Sequence, residues 1–184
     1  GADLEFEQLA LEFRTPNVVQ RDFLANNGDD NTVVRANLSW VRDTRNQAIF
    51  PSRGARQSAR VEVVIPGLSD VEYYRVDYEQ SRYLALSERL TLAFDGTVSY
   101  GDAYGDTVNL PFYENFYAGG ISTVRGYERN SLGPVDASED STGGNLRLLG
   151  RAELRFPLGD NGGEDNLRAS TFVALSVCVD IVIR

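Results

Sequence analysis

Lysine, histidine and methionine are absent from the 184 residues, and cysteine occurs once. Each absence closes a class of chemistry. Without histidine there is no Ser-His-Asp triad, no Cys-His dyad and no imidazole ligand for a metal. Cys178 alone cannot close an internal disulfide or build a thiolate cluster. Every cationic side chain is an arginine, 18 against 27 acids, for a net charge of -9. That balance argues against general binding to a phosphate backbone, so no nucleic-acid partner is expected. No apolar run approaches the ~18 residues of a transmembrane helix. A transmembrane β-barrel is untouched by that test, because its strands hide their apolar residues in alternation.

Alternation is the dominant pattern, and helical periodicity is hard to find. Val34, Ala36, Leu38 and Trp40 share one face, with Arg35, Asn37 and Ser39 on the other. The same reading holds for Ala55–Ile65, Glu72–Leu84, Glu88–Tyr100, Asn145–Phe156 and Leu167–Ile183. Leu4–Arg14 alternates too, but its phase slips near Gln8, where a bulge or kink is expected. About seven long strands result. Soluble strands run about 5–6 residues, whereas a tilted membrane strand needs about 9–11, so length favours a membrane barrel. The charged faces, with Arg147, Arg151, Glu153 and Arg155 on one strand, suit a wet lumen laced with ion pairs. Aromatics near strand ends (Trp40, Tyr73, Tyr83, Tyr100) suit interfacial girdles. A soluble antiparallel barrel or sandwich gives the same alternation and is the competing reading.

The connections differ in kind. Leu84–Glu88 is tight, Pro66–Asp70 is a Pro-Gly turn, Pro157–Asn166 is rich in Gly and Asp, and Thr15–Asn31 is longer and polar at its end. The outlier runs from about Gly101 to Gly144. A connection this long is usually functional or disordered. Phe112, Tyr113, Phe116, Tyr117 and Tyr127 argue against a solvated, disordered segment, since aromatics need something to pack against. Gly119 and Gly120 permit a sharp backbone turn. Arg125 offers a planar fork of donors that stays charged, and burying it unpaired would be costly.

The run Pro111-Phe-Tyr-Glu-Asn-Phe-Tyr-Ala-Gly-Gly120, followed by Ser122-Thr-Val-Arg-Gly-Tyr127, resembles the signature loop of the BamA family of outer-membrane insertases. A second stretch, Trp40-Val-Arg-Asp43-Thr-Arg45 with Phe50-Pro-Ser-Arg-Gly54, resembles a turn these barrels use upstream of the loop. The resemblance implies an all-β, antiparallel transmembrane β-barrel of 16 strands behind periplasmic POTRA domains. Residues 1–184 would then be a partial barrel domain holding about seven of those strands. The loop at about 101–144 is its signature, and no POTRA domain lies in the chain. Opening on Gly1 without a methionine, the chain is expected to be a piece of a longer protein.

Site roles follow from the same resemblance. Val124, Arg125, Gly126 and Tyr127 form the loop motif. Glu153 matches the wall glutamate that holds the motif arginine. Phe116, Tyr117, Gly119 and Gly120 supply the loop's turn and packing. The family's second carboxylate is missing, because Ala174 and Ser176 stand where an Asp and a Gly are expected. Asp180 is about 20 Å further along the strand and a poor substitute. The stretch 177–184 does not resemble the family.

The implied function is assembly of β-barrel proteins into the bacterial outer membrane, with no enzymatic chemistry, no cofactor and no metal. The implied partners are unfolded outer-membrane β-barrel substrates, accessory lipoproteins of the assembly complex and outer-membrane lipid. The competing function is a two-partner secretion or translocation pore of the same superfamily. Glu114–Gly120 disfavours it, as the pores share mainly the Val-Arg-Gly-aromatic tetrad.

Overall fold

The computed structural model describes residues 1–137, 139–157 and 168–180. Seven antiparallel strands form one meander: β1 (Ala2–Ala10), β2 (Asp30–Asp43), β3 (Gly54–Val64), β4 (Tyr73–Ala85), β5 (Thr91–Ala103), β6 (Leu146–Pro157) and β7 (Arg168–Val179). Each strand pairs only with its sequence neighbours. The sheet is a section of a barrel wall and is not closed on itself among the described residues.

Strands of 9 to 14 residues exceed the usual soluble length and match what a tilted crossing requires. The two faces divide as alternation requires. Leu38, Trp40, Val63, Val76, Phe94, Val98, Leu148 and Leu175 lie exposed on one face. The other face carries Arg35, Glu62, Ser99 and Glu153, all buried. A bare apolar face opposite a charged one is the inside-out pattern of a barrel in lipid.

Three sequence expectations change. β1 has no bulge at Gln8: its pairing with β2 runs without interruption from Ala2↔Leu38 to Ala10↔Asp30. The apparent phase slip arises because the apolar residues change face within the strand: Leu4 and Phe6 lie on the outer face and Leu9 on the inner, and Leu11, past the strand's end, packs against the apolar core. The connection to β2 holds a helix, α1 (Val18–Asn27). Asn17 and Gln20 cap it reciprocally, at 2.9 and 3.0 Å, and Gly28 ends it at φ 77°. Only Phe23 of α1 is buried, so no apolar stripe betrays the helix. Finally, Tyr73 and Tyr83 are not girdle residues. Both are buried on the charged face, leaving Trp40 and Tyr100 on the outer one.

The long connection spans residues 104–145, slightly shifted from expectation. With α1 and the Ile65–Glu72 turn it occupies one end of the sheet, where Phe23, Val33, Val64, Val71, Tyr73 and Leu110 form the main apolar core. The expected turn at Pro157–Asn166 lies largely outside the described residues, as does the end of the chain beyond Asp180.

Candidate loop-docking site on the barrel wall

The loop enters through buried Leu110 and Pro111 and makes one 3-10 turn, Phe112–Glu114. Pro111 sets the entry angle, and the Glu114 N–H closes the turn on the Pro111 carbonyl at 2.8 Å. Phe112 and Tyr113 stack edge-on against Phe23 of α1, at centroid distances of 5.5 and 5.6 Å, so the helix caps the loop's entry. Burial, reinforced by the nearby Glu114 charge, pushes the Tyr113 phenol up and keeps it neutral.

The same turn drives Glu114 into the sheet. Its carboxylate accepts from Arg75 at 2.5 Å, from the Tyr73 hydroxyl at 2.9 Å and from Arg35 at 3.5 Å. Arg35 also bonds Glu62 at 3.4 Å and pairs with Glu7. One loop carboxylate therefore ties together side chains of β2 and β4, and through Arg35 those of β1 and β3. Glu114 and Arg35 expose only 9% of their side chains, so water screens this cluster little. Sequence reasoning missed it. The available signal was a lone acid in an otherwise aromatic run, facing arginines on the polar faces of neighbouring strands.

Phe116 follows and lies between two guanidinium groups, Arg75 at 4.6 Å and Arg147 at 5.3 Å from its ring centre. Such contacts are worth about 0.5–2 kcal/mol each, more as water is excluded. Arg147 also donates to the Tyr117 carbonyl at 3.3 Å and to the Ser99 hydroxyl at 2.9 Å. The Phe116 carbonyl accepts from the Cys178 thiol at 3.2 Å, so the single cysteine touches the loop. Phe116 and Tyr117 are thus both in contact with the wall, through the Phe116 ring and the Tyr117 carbonyl.

Beyond Ala118 the loop turns back. Gly119 and Gly120 adopt φ 111° and 95°, and a Cβ on Gly119 would sit 2.3 Å from the Glu128 carbonyl oxygen. No other residue type fits there. The Thr123 hydroxyl closes the turn on Gly119, and Ser122 and Thr123 lie over the wall at Gly96 and Gly150. Val124 is buried, whereas Arg125, Gly126 and Tyr127 are exposed.

Arg125 and Glu153 are not joined. The Arg125 guanidinium lies over the Phe172 ring at 4.9 Å. Glu153 accepts instead from Arg155 at 3.1 Å. Phe172 is the register partner of Glu153 across β6 and β7, so the arginine reaches the expected level of the wall but meets a ring, not a carboxylate. The position expected to carry the second carboxylate, Ala174, pairs with Arg151, whose charge is met by Asp95 at 2.8 Å. Asp180 accepts from the Asn145 N–H at 3.0 Å, away from the motif.

Residues 2–179 match the Omp85 superfamily domain. The chain belongs to the Omp85 superfamily. Among curated Omp85 relatives, it is 36% identical over 142 residues to the outer membrane protein assembly factor BamA of Neisseria meningitidis serogroup B. That match covers 75% of this chain and 18% of the relative. The sorting and assembly machinery component 50 homolog of Bos taurus is 32% identical over 127 residues, covering 65% of this chain and 25% of the relative. In fold, 96% of the chain superposes on 37% of BamA from Haemophilus ducreyi lacking POTRA domains 1-3, with a TM-score of 0.85 at 22% identity. The chain spans less than a third of the length of the curated relatives named here. Omp85 membership and the exposed apolar face identify an antiparallel β-barrel segment of the bacterial outer membrane.

Proposed function

We propose that the protein promotes folding and insertion of β-barrel proteins into the bacterial outer membrane, without covalent chemistry. The observation that carries this reading is the long loop, folded onto the inner wall and anchored by Glu114 and Phe116 on three strands, β2, β4 and β6. Similarity to an assembly factor supports it. In this mechanism the barrel perturbs the bilayer locally and offers strand edges to an unfolded substrate, while the loop braces the wall away from that seam. The substrates are unfolded outer-membrane β-barrels, and accessory lipoproteins assist from the periplasm. A secretion pore is disfavoured, because the resemblance extends beyond the Val-Arg-Gly-aromatic tetrad to Glu114–Gly120.

The test is complementation. The intact protein should restore assembly of a reporter barrel in cells depleted of their own assembly factor, scored by heat-modifiable migration of the reporter. Normal reporter assembly with this protein's barrel deleted would refute the proposal. Export of an unfolded exoprotein without any effect on barrel assembly would establish the pore instead.

A further inference from the structure

The outer face of the sheet carries a hollow of about 590 Å³ lined by Phe94, Val98, Leu148, Ala152, Val173 and Leu175. Its floor is bare backbone, because Gly96 and Gly150 are register partners on β5 and β6. Neither glycine is required by packing on the outer face. Neither adopts a positive φ. A Cβ on Gly150 would touch nothing within 4 Å, and one on Gly96 would meet only a carbonyl oxygen at 4.0 Å. Glycine inside a strand forfeits packing and entropy, and commonly marks a place where a ligand approaches the backbone. At the rim, Gln80 pairs with Gly96, and its Oε1 accepts from the Tyr78 hydroxyl at 2.9 Å. Two residues on, about 7 Å along β4, stands Arg82. It is exposed on the outer face, opposite Phe94, and has no ion partner among the described residues.

The ends of the sheet give the hollow its height. Short turns of outer-membrane barrels face the periplasm and long loops face outward. Arg82 lies three residues from the end of β4 at Ala85, beside the short Ala85–Thr91 turn, and so at the level of the periplasmic leaflet. A cation at headgroup height beside an apolar hollow complements a phosphate joined to an acyl chain.

We infer that this hollow holds one glycerophospholipid of the periplasmic leaflet, its acyl chain over Gly96 and Gly150 and its phosphate on Arg82. The intact protein is reconstituted in nanodiscs of phosphatidylcholine with a minor fraction of palmitoyl-oleoyl-phosphatidylglycerol, then released and weighed by native mass spectrometry. Wild type and the control Arg42→Gln, an outward arginine on β2 and two strands from the hollow's edge on β4, should retain one phosphatidylglycerol. Arg82→Gln should reduce the retained fraction about tenfold, the weight of one hydrogen bond between charged groups, and Gly150→Val should reduce it as well by filling the space over the backbone. Folding is checked by heat-modifiable migration. If Gly150→Val does not fold, Gly150→Ala replaces it, since its methyl projects into open space and must displace the lipid alone. Equal retention by all variants, or equal loss in Arg42→Gln, would show ordinary annular lipid and overturn the inference. Loss in Arg82→Gln without loss in the Gly150 variant would also overturn it, because the hollow would then play no part. So would a photo-crosslinker placed at Gly96 that captures protein in the membrane and no lipid.

Discussion

Replacing Glu114 with Gln tests the loop's attachment most directly. The amide keeps the shape and one acceptor but removes the charge, and it turns donors toward Arg75 and Arg35. Arg35 retains Glu62 at 3.4 Å and Glu7, so it is partly compensated. Arg75 is left with Asp77 at 4.0 Å, and the Tyr73 hydroxyl loses a charged acceptor. Removing one partner of a buried pair costs about 3–5 kcal/mol, and the surviving contacts of Arg35 set the lower end, about 3 kcal/mol. Because 1.4 kcal/mol is a factor of ten, the open loop should become about a hundredfold more populated. The reporters are the amides of Phe116 and Gly144, which bond each other's carbonyls at 2.8 and 2.9 Å where the loop's two limbs meet. Their hydrogen exchange tracks local opening, so protection should fall about a hundredfold in the intact barrel. Protection within threefold of wild type would show that Glu114 does not hold the loop, and the anchoring argument would fail.

Arg125→Ala should be far milder, accelerating exchange at the Gly120–Val124 turn about twofold to fivefold, as expected for an exposed cation–aromatic contact of about 0.5–1 kcal/mol. Combined with Glu153→Ala, its effect should add to within about 0.5 kcal/mol in a double-mutant cycle, whereas a larger coupling would reinstate a direct pair. Leu148→Arg or Val63→Arg should impair insertion, at less than the about 2–4 kcal/mol of a midplane site because both lie within three residues of a strand end, while Arg at the inward-facing Ser58 or Thr97 should cost less still. Equal tolerance of all four in a vesicle-insertion assay would overturn the assignment of faces. Gly119→Ala should unseat the turn at about 1–3 kcal/mol or more, given its φ of 111° and the 2.3 Å approach to Glu128, and chymotryptic cleavage after Tyr117 should rise accordingly. Unchanged cleavage would mean the turn is not needed to keep the loop docked.

The faces of β2 to β7 were legible in the sequence, because alternate side chains of an extended chain must point to opposite sides, whatever the rest of the molecule does, whereas β1 read as if its phase slipped near Gln8. Long strands, the outlying loop and the turn glycines were legible for the same local reason. The helix at Val18–Asn27 was only half legible: its cap at Asn17 and Gln20 and its stop at Gly28 can be read, but with Phe23 alone buried there is no periodic stripe to find. What the loop grips was decided by tertiary structure. Glu114 lies 41 residues from Tyr73 and 79 from Arg35, and nothing local distinguishes its carboxylate from that of Glu153 as a ligand for arginine. Strand register and the path of the loop settled the matter, bringing Glu114 against two guanidiniums while Arg155 claimed Glu153 and Arg125 came to rest on Phe172. Alternation belongs to the chain's own stereochemistry, whereas the choice among several equivalent charges depends on distances that exist only once the sheet has formed.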